Sequence, residues 1–147
     1  LDLSVKKVFI TENKINGLSF PMVPEGMVIF GLGYGIQSLK EVGWLGTKEI
    51  FYWGDIDTHG FAILSMVRHY FPDIRSFLMD RNTLFDFKSL WVKEEKEKRS
   101  CADLSLLTRD EHTLYRDLLE DVHGQRVRLE QERISHAYVK RYLAKLC

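Results

Sequence analysis

The sequence predicts an α/β domain built on a doubly wound, mainly parallel sheet with flanking helices. Three observations carry that expectation. Short apolar runs recur at residues 5–11, 27–30, 50–53 and 74–79, and MVIF at 27–30 is apolar throughout, as in a strand buried on both faces. Between the second and third runs, Gly31, Gly33 and Gly35 make a turn that leads into a short helix at 36–42. Between the third and fourth, apolar residues at 61, 63, 64, 67, 70 and 71 trace one face of a helix that Pro72 ends. Strands alternating with helices in this way form parallel sheets, whose ligands bind at the carboxyl ends of the strands.

Taken in order, the first strand ends at Glu12, and residues 13–26 read as a loop broken by Gly17, Pro21, Pro24 and Gly26. The second half changes character. Residues 93–99 (KEEKEKR) read as a solvated helix face or loop. Thr108 and Glu111 form a capping box that opens a helix running to about Asp121, and Gly124 breaks it. After VRLEQERIS, Ser135 caps a last helix through Leu146. At 147 residues the chain is expected to be a single domain over 1–147, and the missing initiator Met reads as a domain cut from a longer protein.

Composition narrows the class. No apolar run is long enough to span a membrane, so no membrane partner is expected. Cys101 and Cys147 belong to no CxxC pair, which argues against zinc and disulfide frameworks and for a cytoplasmic location. With 21 Lys plus Arg against 21 Asp plus Glu, the chain lacks the basic excess of a stand-alone nucleic-acid binder. Nucleic acid reached through a metal or a second domain stays open.

The chemistry concentrates in YWGDIDTHGF. Asp55 and Asp57 follow an apolar strand, and on an extended strand end residues i and i+2 point the same way. Glu12 ends a different strand of the same sheet. If the two strands are neighbours they lie about 4.8 Å apart, and three carboxylates converge on one point. An all-oxygen set without cysteine favours Mg²⁺ or Mn²⁺. Without a cation the three would repel, and at least one would protonate. The plainer alternative is that these are strand-end acids that cap the next helix or pair with arginine.

Other residues carry two readings each. Glu130 and Glu132 both reach the site if RLEQERI is extended; if it is helical they diverge, and one pairs with Arg126, Arg128 or Arg133. His59 contacts a phosphate, moves a proton or makes a local bond at a helix start. Asn13, beside Glu12, orients that carboxylate or turns the chain. Asp80 supports the site, pairs with Arg81 or caps a helix. Lys14, Arg81, Arg126 and Arg128 are candidate DNA phosphate contacts, with plain solvation as their default. Tyr52, Trp53, Phe61, Tyr70 and Phe71 fall at core spacing.

Glu12 after VFIT, followed by FYWGDIDTHGF, resembles the acidic signature of a Toprim domain. The ordered blocks TEN-x-x-NGLSFP, IFGLGYGI, YWGDIDTHGFAIL, FLMD and RLEQERI resemble the C-terminal domain of JetD-like proteins, the nuclease subunit of Wadjet anti-plasmid defence systems. The resemblance runs from about Lys7 to the final helix. A similar Asp-x-Asp followed by glycine occurs in the topoisomerase VI A subunit. The resemblance implies a Toprim-like, Rossmann-type fold and a Mg²⁺- or Mn²⁺-dependent DNA endonuclease that hydrolyses phosphodiesters in double-stranded DNA. It also implies condensin-type, SMC-like partner subunits, and a homodimer is a further expectation. Glu12, Asp55 and Asp57 carry over as catalytic and metal-binding acids, with Glu130 and Glu132 as added metal candidates. The topoisomerase relatives attack DNA with a tyrosine on a separate winged-helix domain. This chain shows no such domain, and the JetD resemblance implies water as the nucleophile.

Three rivals remain at this stage. MVIFGLGYG followed by a helix suggests a dinucleotide site, with Asp55 at the distance of about 20 residues where a ribose-binding acid sits. Ile36 stands where the third glycine belongs, however, and Glu12 and Asp57 go unexplained. A haloacid-dehalogenase-type phosphatase also uses D-x-D, but after its first strand rather than its third, and Thr58 comes one position early. The third rival is an inactive Toprim-like interaction module, which the presence of all three acids opposes.

Overall fold

The computed structural model describes residues 4–146, with residues 33–34 by backbone alone. Cys147 lies outside the described residues, and Cys101 is a free, exposed thiol. Four parallel strands form the central sheet: β1 (Lys7–Thr11), β2 (Gly26–Phe30), β3 (Glu49–Trp53) and β4 (Arg75–Ser76), in the order β2-β1-β3-β4. The chain runs outward from β1 to β2, returns across β1 to β3, and continues to β4. The winding direction therefore reverses between β1 and β3, which pair in register from Lys7 with Glu49 to Thr11 with Trp53. A crevice opens at such a switch point, beyond the carboxyl ends of the strands.

Strand alternation sorts the core. Phe9 stacks on Phe51 at 4.9 Å, and Trp53, Phe77, Phe20 and Tyr142 extend this aromatic layer on one face of the sheet. Val8, Ile10, Ile50 and Tyr52 point to the other face and are equally buried. Helix α2 (Thr58–Tyr70) follows β3 and buries Phe61, Leu64 and Val67, at the 3.6-residue spacing seen in the sequence.

Three element assignments are corrected. Residues 13–26 contain a short helix, α1 (Lys14–Leu18), which Asn13 caps by accepting the Asn16 N–H at 3.0 Å. Gly17 is not a breaker there: a Cβ would sit 2.2 Å from the Phe30 ring, so glycine is the residue that lets α1 pack on β2. The helix expected at 36–42 is a 3₁₀ helix over Gly33–Glu41, and a second covers Gly43–Thr47. The strand expected at 74–79 is reduced to Arg75–Ser76. Phe77 N–H still reaches Tyr52 O at 2.8 Å, but Leu78 then turns the chain with φ +55°. Asp80 caps α3 (Arg81–Asp86) through the Thr83 N–H at 2.7 Å.

The second half closes over the sheet. β5 (Val92–Lys93) and β6 (Val127–Arg128) pair antiparallel. Both bonds of the expected capping box form at the start of α4 (Arg109–Leu119). Ser135 accepts the Tyr138 N–H at 3.2 Å at the start of α5 (His136–Leu146).

A candidate acidic active site

The segment between the two aspartates is held by a reciprocal bridge. Ile56 N–H donates to Leu129 O at 2.9 Å, and Leu129 N–H returns to Ile56 O at 3.0 Å. Ile56 and Leu129 are both fully buried. Their neighbours, Asp55 and Asp57 on one segment and Arg128 and Glu130 on the other, form a charged group above them. Arg128 Nη2 donates to Asp55 Oδ2 at 3.1 Å, and its Nε lies 3.4 Å from Asp57 Oδ2. Glu130 Oε2 is 3.8 Å from the same guanidinium, and its Oε1 is 3.8 Å from Arg133.

Glu12 stands one residue past β1, directly beside the end of β3. Glu12, Asn13, Asp55, Asp57, His59, Arg128, Gln131 and Glu132 line one cavity of about 210 Å³ at the switch point. The two candidate glutamates of RLEQERI part company. Glu132 turns into the cavity, where its Oε2 accepts from Asn13 Nδ2 at 3.0 Å, while Glu130 stays with the two arginines. Asn13 thus turns the chain, and the carboxylate it orients is that of Glu132 rather than the expected Glu12. His59 lies exposed at the rim.

Electrostatics single out Asp57. Burial pushes its carboxyl up to about 7; the Gly60 N–H opposes this, Glu94 and Asp55 add to it, and Arg128 opposes it. Glu12 is also raised, first by burial and then by Asp55, with His59 acting in the opposite sense. Glu132 is raised by burial and by Asp55 and Glu130, against its own N–H and Arg128. The buried Tyr52 hydroxyl is pushed well up by burial and by Glu12, Asp55 and Asp57 beyond it. Burial is the largest cause in each case, and the neighbouring carboxylates add to it.

Among the described residues, no three His, Cys, Asp or Glu side chains are grouped so that they could hold a metal ion as they stand. The guanidinium of Arg128 lies instead between Asp55 and Asp57. The donor set still fits a hard cation: it is all oxygen, and Arg128 Nε is buried with no hydrogen-bond partner, so its hold on Asp57 is ionic only.

The other candidate cations separate. Lys14 is exposed at the start of α1, next to the cavity. Arg81 is 3.5 Å from Asp117 and stacks over Phe85, and Arg126 Nη1 donates to Glu94 O at 2.9 Å. Asp80 lines a different cavity with Tyr142, whose hydroxyl donates to it at 3.2 Å.

Two residues of this neighbourhood gave no signal in the sequence. Gln131 is buried; its N–H donates to Asp55 Oδ1 at 2.8 Å and its side chain accepts from Thr11. Glu94 is buried beneath α2, although its charge run reads as solvated. The glycines beside the aspartates serve the chain's own packing. A Cβ at Gly60 would lie 2.0 Å from Asp55 O, and one at Gly54 would lie 2.8 Å from the Tyr52 hydroxyl.

An acidic cavity at the switch point of a doubly wound parallel sheet defines a Rossmann-type, Toprim-like α/β domain. The glycine-rich turn of the dinucleotide rival follows β2, an edge strand, away from that point. The chain matches the family described as Wadjet protein JetD, C-terminal, over residues 1–143, and so belongs to that family. Membership ties it to a multi-subunit defence system. No curated protein matches the chain. Among the described residues, no helix is long and apolar enough to cross a membrane.

Proposed function

We propose that the chain is the catalytic domain of a metal-dependent DNA endonuclease that hydrolyses phosphodiesters in double-stranded DNA presented by SMC-like subunits of a cytoplasmic Wadjet complex. The observation that carries this reading is the convergence of Glu12, Asp55, Asp57 and Glu132 on one cavity at the switch point. Glu12, Asp55 and Asp57 are the residues to hold Mg²⁺ or Mn²⁺, with Glu132 the better placed of the two further glutamates. The bound cation would neutralise phosphate charge and make water a better nucleophile.

The remaining roles belong to the chain itself. Burial raises the Glu12 carboxyl and a bound cation would lower it again, which suits a ligand rather than a base. His59, at the rim, is placed to pass a proton to solvent. Arg128, which pairs with Asp55, and Lys14, exposed at the start of α1, are the candidates for phosphate contact. Arg68, Arg75, Arg81 and Arg126 are committed to pairs elsewhere in the fold.

The test is plasmid cleavage by the intact protein with its partner subunits, with and without Mg²⁺. Glu12→Ala and Asp55→Ala are each expected to lower the rate by at least about 100-fold. Full cleavage by both variants would overturn the assignment.

A further inference from the structure

Glu94 lies within a run of charged residues and yet is 1% exposed. Its backbone is fixed on both sides: Glu94 N–H donates to Arg126 O at 2.7 Å, and Arg126 Nη1 donates to Glu94 O at 2.9 Å. Its carboxylate runs under the start of α2. There it accepts the Thr58 N–H at 3.4 Å, the His59 N–H at 3.0 Å and the Thr58 hydroxyl at 2.8 Å.

A helix start needs only one capping acid, and α2 already has Asp57. A second buried carboxylate beside the first costs free energy through mutual repulsion, against which Glu94 has the Arg99 guanidinium 3.9 Å away. Its placement has a specific consequence. A capping side chain bonds the second or third amide of the helix, and a carboxylate with two oxygens can take both. Here Glu94 holds the second amide, that of His59. Asp57 is left with the third, and its Oδ1 accepts the Gly60 N–H at 2.6 Å. Its Oδ2 is then not drawn into the helix and stays with Arg128 in the acidic cavity, 3.4 Å away. Gly60 completes the fit, since a Cβ there would lie 3.2 Å from Asp57 Oδ1.

We propose that Glu94 is a positioning residue: by occupying the first two amides of α2, it confines Asp57 to the third and keeps Asp57 Oδ2 aimed into the acidic cavity. The proposal rests on the reading of Asp57 as a cation ligand. Loss of Glu94 frees the His59 N–H, and Asp57 turns its second oxygen onto it.

The test uses the intact protein with Glu94→Ala, with Glu94→Gln (which keeps the shape and one acceptor oxygen) and with Asp57→Ala. Two quantities are read: Mn²⁺ affinity by electron paramagnetic resonance, well below each variant's melting temperature, and the orientation of Asp57 in crystal structures. Glu94→Ala is expected to weaken Mn²⁺ binding about tenfold, the size typical of residues that orient a ligand. Glu94→Gln should fall between it and the parent, and Asp57 should be rotated onto the His59 N–H in Glu94→Ala. If Glu94→Ala does not fold, Glu94→Gln carries both measurements, with a weaker loss of affinity. Parental affinity together with an unmoved Asp57 would overturn the proposal, even if stability falls. If Asp57→Ala binds Mn²⁺ as the parent does, the cation reading has failed, and the orientation of Asp57 alone decides the role of Glu94.

Discussion

Two arginine–carboxylate groups lie at opposite ends of α2, and they are built in opposite ways. At one end, Arg68 grips both oxygens of Glu111 and also donates to Ile74 O at 3.0 Å and Leu106 O at 2.8 Å. Glu111 in turn accepts the Thr108 N–H at 2.9 Å and the Ser76 hydroxyl at 2.7 Å. Burial works to raise the Glu111 carboxyl, but Arg68, Thr108 and Ser76 outweigh it and leave the group below the usual carboxylate range. At the other end, Asp57 has one amide and an arginine that it does not hydrogen-bond, and burial leaves its carboxyl near 7. The first group is complete and joins α2 to α4. The second leaves a buried carboxyl incompletely paired, as at a perturbed functional-site candidate.

The largest expected difference comes from removing each arginine. Arg68→Met should cost about 3–5 kcal/mol, because it strands a buried carboxylate. Arg128→Met should cost less than about 1 kcal/mol, since Asp55 keeps the Gln131 N–H and Asp57 can take up a proton. Urea denaturation measures both, and equal costs would erase the contrast. Next, Asp57→Asn keeps the oxygen that caps Gly60 and removes the charge. The folded value near 7 lies above the ordinary value of 3.8, so the neutral form favours folding at low pH and that support is lost as pH rises toward 7. Asp57→Asn should therefore stabilise the chain by about 1–2 kcal/mol at pH 8 and by clearly less at pH 5.

The Glu111 carboxyl runs the other way. Its folded value is lowered, so its stabilisation is present above pH 4.5 and is lost as pH falls through the folded value. Acid denaturation of Glu111→Gln should accordingly be shallower than that of the parent, and identical acid profiles would count against the pairing. The smallest effect belongs to a pair in water. Glu49 bridges Lys7 and Arg75 on the exposed start of β3, and Glu49→Ala should cost no more than about 0.5 kcal/mol by the same urea measurement.

The sheet was legible because β1 and β3 are apolar runs buried over most of their length, whereas β2, read as buried on both faces, is an edge strand that is only half-buried throughout. β4 was overextended because Phe77 and Met79 are apolar for packing, while Leu78 turns the backbone, and no propensity rule marks leucine for that turn. Helix α1 was hidden because Gly17 looks like a breaker until Phe30 is seen filling the space of its missing side chain. In the site, Glu12, Asp55 and Asp57 could be read because strand ends announce themselves. Glu94 and Gln131 could not, since their importance depends on contacts with residues 35 or more positions away.

The Ile56–Leu129 bridge makes the site depend on two distant stretches of the chain. The sheet needs only residues 7–76, but the acidic cavity exists only after a segment 73 positions downstream has docked. Closing a loop of that length costs about 4 kcal/mol of chain entropy, only about 0.5 kcal/mol more than the closure that pairs Phe9 with Phe51. The bridge is a single residue pair, whereas β1 and β3 pair over five residues each, so the site is expected to open before the sheet. In native-state hydrogen exchange, the Ile56 and Leu129 amides should exchange ahead of those of Phe9 and Phe51. A domain of this design can lose its charged centre by local opening while its hydrophobic frame stays folded.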